Sequence, residues 1–396
     1  MRKEVFAWGM YDLANTAFSA LFVTFFFPLL IKSMGGTEFQ IGLVFGISMF
    51  LVGLFVPAIG AFSDQIGKRL PFIIIFTIVC AVFTWLTGYA GLSLALLFGL
   101  LANFFYHAAL TTYNALLPSV AKKHEIGFAS GIGVGMGYIG TLLSLGMAAL
   151  ILQKYGWESP EAIKLMFPAT AIFFVIGSLW TFFGIREKGI VDGNHIFCKI
   201  HNSFKEVWHT LKTMRSHKGM ISFLLASFMY IDAINAIIVF LYLYGKTKIG
   251  LSIPDFMIVY VIFSLAAITG SLLFGKLIDS IGSKRILTIA GLMWLVVIGI
   301  LLKTANYATF LTAGILGGIA LGTVWTAIRP LLISLSPKKK VGQFFGFSEL
   351  ADKFSGVLGP IVFGFLATKY SYTAGLYSLI IFFVAGLILL QNVPRR

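Results

Sequence analysis

The stretch Gly60-Ala61-Phe62-Ser63-Asp64-Gln65-Ile66-Gly67-Lys68-Arg69 decides how this chain is built, because it comes back as Gly275-Lys276-Leu277-Ile278-Asp279-Ser280-Ile281-Gly282-Ser283-Lys284-Arg285. The first copy reads G-x-x-x-D-x-x-G-K-R, and the second is the same pattern with one residue inserted before the lysine. The differences 275 − 60, 279 − 64 and 282 − 67 all equal 215. Each copy lies in a short polar gap between two long apolar runs. A repeat of this length is far above the period of a solenoid and on the scale of duplicated transporter bundles.

Composition places the chain in a bilayer. Over 396 residues, 58% are apolar and 11% charged, with a mean hydropathy of +0.93. A water-exposed surface cannot be built from that mixture. The net charge of +15 is spread over many short loops, which suits positive-inside topology and not nucleic-acid binding. Cys80 lies in an apolar run and Cys198 in a polar linker, so neither a disulfide framework nor a cysteine metal site is expected. The apolar run after Arg2 and Lys3 continues to about residue 31, too long for a signal-peptide core, and reads as a retained first span.

Runs long enough to cross a hydrocarbon core fall at about 5–31, 39–62, 70–89, 92–117, 128–152 and 164–184, then at 218–245, 254–278, 286–302, 307–334, 343–368 and 372–391. The expected fold is an all-α polytopic membrane protein of twelve transmembrane helices in two pseudo-symmetric six-helix bundles. The expected domains are 1–185, a linker at 186–217, and 218–396. Lys32, Lys154, Lys164, Lys246, Lys248, Lys303 and Lys369 lie on one side, and Arg329 and Lys353 lie within spans. Of the 30 Lys and Arg, 30 − 7 − 2 = 21 remain on the side of the termini, which is therefore expected to be cytoplasmic, in the inner membrane. Within the linker, Ile200, Phe204, Val207, Leu211 and Met214 recur at helical steps among Lys199, Lys205, Lys212 and Arg215. This spacing predicts a basic amphipathic helix on the inner leaflet, serving as a tether.

Ionisable residues within spans are functional-site hypotheses. Asp12 and Asn15 share a face of span 1, and span 7 repeats the unit as Asp232 and Asn235. At about 1.5 Å per residue, Asp12 lies roughly 14 Å from Lys3 and Asp232 roughly 21 Å from Lys218, near mid-membrane. Each carboxylate either meets cargo or pins a neighbouring helix. Asn103, His107, Thr111 and Asn114 form one polar stripe along span 4. Shifted by 215, the stripe lands on Gly318, Gly322, Thr326 and Arg329, with Trp325 beside it, and reads as a small-residue channel wall ending in a fixed cation. Arg329 suits an anionic substrate group, or a gate closed onto Glu349 or Asp352. His107 is either a satisfied core histidine or a proton-coupling group. In span 11, Glu349, Asp352 and Lys353 share a face, with Glu349 placed to pair with Lys353. Span 5 concentrates Gly127, Gly131, Gly133, Gly135, Gly137 and Gly140, whose G-x-G-x-x-G lacks any βαβ context and instead suits close helix packing.

The paired loop motifs resemble the signature loops of the major facilitator superfamily, over the whole chain. That resemblance implies two bundles rocking about a central site lined by spans 1, 4, 7 and 10. It also implies a gating role for Asp64, Lys68, Arg69, Asp279, Lys284 and Arg285. Trp8, Tyr11, Asp12, Ala14, Asn15 and Phe18, with Asn114 to Pro118, Ser130 to Gly140 and Phe344 to Pro360, are similar to the branch holding the fungal vacuolar amino-acid effluxers and their prokaryotic relatives. Thr141 after Gly140, and Glu349 and Asp352 in span 11, depart from that branch at the candidate site.

The expected function is secondary transport of a small polar or zwitterionic solute, amino-acid-like or an organic anion. It is read as efflux coupled to protons or another ion through Asp12, Asp232, Glu349 or Asp352. The alternative is a proton-coupled multidrug exporter, although Gly359-Pro360 in span 11 is the only Gly-Pro and span 5 has none. No Ser/His/Asp arrangement, His-metal spacing or P-loop is present, so no enzyme, cofactor or metal is expected. A non-transporting sensor would need an output domain. The expected partners are a small-molecule substrate, a coupling ion and lipid, with the chain as a monomer.

Overall fold

The computed structural model describes residues 2–156, 159–187 and 196–394, with the side chains of 38, 196–201, 253, 254, 257, 353, 354 and 357 outside the description. Six long helices come first: α1 Lys3–Ser33, α2 Glu38–Ile66, α3 Leu70–Thr87, α4 Leu92–Val120, α5 Ile126–Tyr155 and α6 Pro160–Gly184. A linker helix α7, Ile196–Lys212, follows. Then come α8 Met220–Ile249, α9 Ile253–Ile281, α10 Ser283–Leu302, α11 Tyr307–Leu335, α12 Val341–Lys369 and α13 Tyr372–Gln391. Among the described residues, eleven helices are long and apolar enough to cross a membrane, and α12 contributes the shorter apolar stretch Leu358–Lys369. The spans read from hydropathy are these helices, because in lipid every backbone polar group must find its partner inside the segment.

Local chemistry sets the helix ends. Thr37 and Gln40 form a capping box at the start of α2, and Asn306 and Thr309 form one at the start of α11. Ser159, Ser252 and Ser371 cap α6, α9 and α13. The motif glycines close the preceding helices: Gly67 at φ +75° after α2 and Gly282 at φ +90° after α9. Both values lie where a Cβ is strained, which explains why the repeat carries glycine there.

The chain forms two compact units. The first holds residues up to Lys122, Met136–His209 and Lys338–Glu349, and the second holds Lys123–Gly135, Thr210–Pro337 and residues from Leu350 onward. The start of α5 thus packs with the second unit and the start of α12 with the first. The same pairings occur in each. In the first unit, α1 packs on α6, α2 and α3 on α4, and α3 on α6. In the second, α8 packs on α13, α9 and α10 on α11, and α10 on α13.

Small residues let these helices touch. A Cβ on Gly140 would lie 2.0 Å from the Leu13 carbonyl oxygen, and one on Gly131 would lie 2.3 Å from that of Ser271. This is the close approach expected of the span 5 glycines. Gly318 and Gly322 behave likewise: their Cβ positions fall 2.3 Å from the Phe263 oxygen and 2.1 Å from the Ala267 oxygen. The expected channel wall is therefore corrected at these two positions, because their bare faces are pressed against the backbone of α9. The helices without interior charge present apolar surface outward, as Ile75 and Val82 on α3, Leu292 and Val296 on α10, and Ile381 and Ile388 on α13 show. On α7, Phe204, Trp208 and Leu211 are exposed while Ser203 and Thr210 are buried. Lys199 and Ile200 of its expected stripe lie outside the described side chains.

Candidate functional site

The polar face of α1 is set by how α1 is fastened. Trp8 Nε1 donates to the Tyr113 carbonyl at 3.2 Å, the Tyr113 hydroxyl donates back to the Trp8 carbonyl at 3.0 Å, and their rings stack at 4.6 Å. Tyr11 stacks on the same Tyr113 and meets the Thr77 hydroxyl at 2.7 Å. These contacts, with Gly140 against Leu13, leave little freedom to rotate α1 about its axis. Asp12 is buried and accepts from Asn15 Nδ2 at 3.1 Å. Just beyond them, Ser19–Phe26 widens into a π-helical segment that periodicity does not reveal.

The stripe on α4 divides into tied and open groups. Asn103 Nδ2 donates to Ser48 Oγ at 2.9 Å, joining α4 to α2. Among the described residues, Asn103 Oδ1, Thr111 Oγ1 and Asn114 Oδ1 are buried with no hydrogen-bond partner. Buried polar atoms of this kind are uncommon in folded proteins. His107 Nδ1 lies 2.7 Å from Glu349 Oε1, both side chains nearly fully buried. Glu349 was expected to pair with Lys353 or to serve as a gate partner for Arg329. Its carboxylate lies on the first unit's own histidine, and the Lys353 side chain, with the expected pair, is outside the described residues.

In the second unit Asp232 is fully buried. Its Oδ2 accepts from the Gly359 N–H at 2.8 Å, while Oδ1 has no partner among the described residues. A Cβ on Gly359 would lie 2.4 Å from the Asp232 carbonyl oxygen, so only glycine admits this approach. Asp232 thus pins α8 to α12 with one oxygen and keeps the other for a further interaction. Asn235, Trp325, Arg329 and Asp352 are half-buried. Thr326 donates to the Gly322 carbonyl at 2.7 Å, and its own carbonyl accepts from Ser130 Oγ at 2.9 Å.

The loop motifs make the second constellation. Asp64 Oδ1 accepts from Arg69 Nη2 at 2.7 Å and from the Gly342 N–H at 3.0 Å, and Oδ2 accepts from the Gln343 N–H at 3.0 Å. Asp279 accepts from the N–H groups of Gly127 and Phe128 at 2.7 and 2.8 Å. The partners obey the repeat, since 342 − 127 and 343 − 128 equal 215 as 279 − 64 does. Each aspartate therefore caps a helix start: Asp64 that of α12 and Asp279 that of α5. Orphan N–H groups and the positive end of the helix dipole both favour a carboxylate there. The close approach is again made by glycine, Gly60 over Gly342 and Gly275 over Gly127.

The remaining motif cations do not act alike. Lys68 is half-buried, Lys284 donates to the carbonyls of Gln391 and Val393 at the end of α13, and Arg285 is exposed. Two carboxylates that sequence reasoning missed complete the first copy. Glu187 accepts from the N–H groups of Arg69 and Leu70 at 2.8 and 2.7 Å, capping α3. Glu206 of α7 accepts from Gln65 Nε2 at 3.0 Å and pairs with Lys340 at 3.1 Å. The only sequence signal for either was an acidic residue in an otherwise basic linker region.

Among the described residues no cluster of His, Cys, Asp and Glu could hold a metal ion. Comparison with known proteins agrees with this architecture. The MFS-type transporter YxiO of Bacillus subtilis (strain 168) is 27% identical over 100% of this chain and 95% of its own length. The multi-drug resistance efflux pump PmrA homolog of Lactococcus lactis is 25% identical over 92% of this chain and 88% of its own length. The solved structure of the major facilitator superfamily transporter FucP, in the outward conformation, matches with a TM-score of 0.75 at 14% identity, over 100% of both chains. A family model described as "Vacuole effluxer Atg22 like" matches residues 36–396. With the capped loop motifs and paired six-helix halves, this chain belongs to the Atg22-like vacuole effluxer family and is a secondary transporter of the major facilitator superfamily.

Proposed function

We propose that the chain exports a small polar or zwitterionic solute, amino-acid-like or an organic anion, in exchange for protons. The bodies that move are the sequence halves 1–185 and 218–396, joined by the tether at 186–217. Both termini lie in the cytoplasm and the chain works as a monomer without cofactor or catalytic chemistry. Asp64 and Asp279 then lie on the cytoplasmic side, and their caps are made in one state of the transport cycle and broken in the other. Arg329, Trp325, Asn114, Asn235 and Thr111 contact the solute; Asp12, Asp232 and Asp352 are the other carboxylates available to carry charge.

The observation that carries the reading is the buried His107–Glu349 contact at 2.7 Å, which joins α4 to α12. A buried carboxylate beside an imidazole can hold one shared proton, and losing or gaining it changes whether α4 and α12 attract. Proteoliposomes loaded with a pH-sensitive dye and challenged with candidate solutes test it. Glu349→Gln is expected to bind solute, by thermal shift, and to lose solute-driven proton movement. Undiminished proton movement in Glu349→Gln sinks the coupling role of this pair. The multidrug reading is favoured by the likeness to the efflux pump homologue. It wins if lipophilic cations alone stabilise the protein and Arg329→Ala leaves that effect intact.

A further inference from the structure

The second copy of the loop motif leaves two cations at the head of an apolar trough. Lys284 and Arg285 rim a groove of about 780 Å³ between α10 and α13, floored by Ile281, Ile289, Leu292 and Leu387. The floor is open outward: Ile281, Ile289 and Leu292 are 38%, 37% and 51% exposed. The Lys284 ammonium is held at the rim by the carbonyls of Gln391 and Val393. Arg285 is exposed, and among the described residues no carboxylate meets it.

The first copy indicates the chemistry that belongs here. With the residue inserted before the lysine allowed for, Lys284 aligns with Lys68 and Arg285 with Arg69. In the first copy the Arg69 guanidinium is taken by the Asp64 carboxylate, and Glu187 accepts from the backbone N–H groups of Arg69 and Leu70. In the second copy the charge of Lys284 is turned to α13, and Arg285, in the place of Arg69, is exposed. The chain's own carboxylate fills the place in one copy, whereas in the other a free guanidinium stands over hydrocarbon-facing side chains.

We infer that this groove binds an anionic phospholipid of the cytoplasmic leaflet, with the headgroup phosphate on Arg285 and an acyl chain along the trough. A guanidinium fork suits phosphate oxygens, and basic pockets between helices on the cytoplasmic side recognise such headgroups. A free phosphate would satisfy the rim and leave the apolar floor bare. The inference rests on the cytoplasmic orientation proposed above but not on the identity of the transported solute.

Native mass spectrometry of the full chain in mild detergent tests it. Phosphatidylglycerol, phosphatidylcholine with the same acyl chains, and soluble glycerol phosphate are titrated onto the wild type, Arg285→Leu and Leu292→Trp. Arg285→Leu removes the guanidinium and keeps an apolar side chain in its place, and Leu292→Trp fills the trough while keeping both cations. Phosphatidylglycerol is expected to bind about fivefold more weakly to Arg285→Leu and more weakly to Leu292→Trp, with phosphatidylcholine unchanged and glycerol phosphate unbound. Equal phosphatidylglycerol binding by all three proteins overturns the site. Glycerol phosphate binding as tightly as the lipid overturns the lipid assignment in favour of a simple anion site. Should Arg285→Leu not fold, Leu292→Trp alone decides. Because binding is read without transport, failure of the efflux reading leaves this result standing.

Discussion

The two loop motifs carry the same aspartate, the same glycines and nearly the same cations, yet they are wired differently. Asp64 accepts from a guanidinium as well as two backbone N–H groups, and Glu187 braces the same loop. Asp279 is bonded to two backbone N–H groups, and the neighbouring Lys284 is turned to the end of α13. The carboxylate capping a helix start is what both copies keep, and the cations are what each copy reassigns. That division has a physical reason. The cap depends on backbone groups present at every helix start, whereas a long cation can reach whichever acceptor the local packing offers.

The difference can be broken or sharpened by matched substitutions. The largest effect is expected from Asp64→Asn, which removes the charge from three donors and leaves Arg69 without its partner, costing about 3 kcal/mol. Asp279→Asn should cost about half that, since only neutral N–H donors are lost. Denaturant titration in detergent gives both values, and equal losses would mean that Arg69 adds nothing to the first cap. Glycine substitution comes next. A Cβ at Gly60 lies 2.2 Å from the Gly342 oxygen, while one at Gly275 lies 3.0 Å from the Gly127 oxygen. Gly60→Ala should therefore destabilise by about 2 kcal/mol, and Gly275→Ala by clearly less. The reverse order in melting temperature would show that the first cap is the looser one. The smallest effect is expected for Lys284→Met, about 0.5–1 kcal/mol for losing a cation at the end of α13. A loss as large as that of Asp64→Asn would make Lys284 part of the gate.

Much of the fold was legible in the chain itself. Twelve apolar runs, a 215-residue repeat and the glycines of the two loop motifs are properties of local sequence. Much of the candidate site was not. Asp12 and Asn15 do meet, because three residues along a helix brings side chains together. The spacing that suggests Lys353 as a partner of Glu349 gave no sign of His107, 242 residues away, which its carboxylate reaches. Asp232 held no visible clue to Gly359, since a backbone N–H looks alike at every position. Gly318 and Gly322 looked like a channel wall because spacing identifies a face without saying what lies against it.

Sequence by itself determined the class of molecule, its helices and its internal duplication, because hydrophobic length and motif spacing act through the nearest turns of helix and through lipid. Tertiary structure alone decided which buried carboxylate meets a histidine, which meets a backbone N–H, and which motif cation faces outward. Those choices depend on helices brought together from distant parts of the chain, and on the side-chain reach that close glycine packing allows.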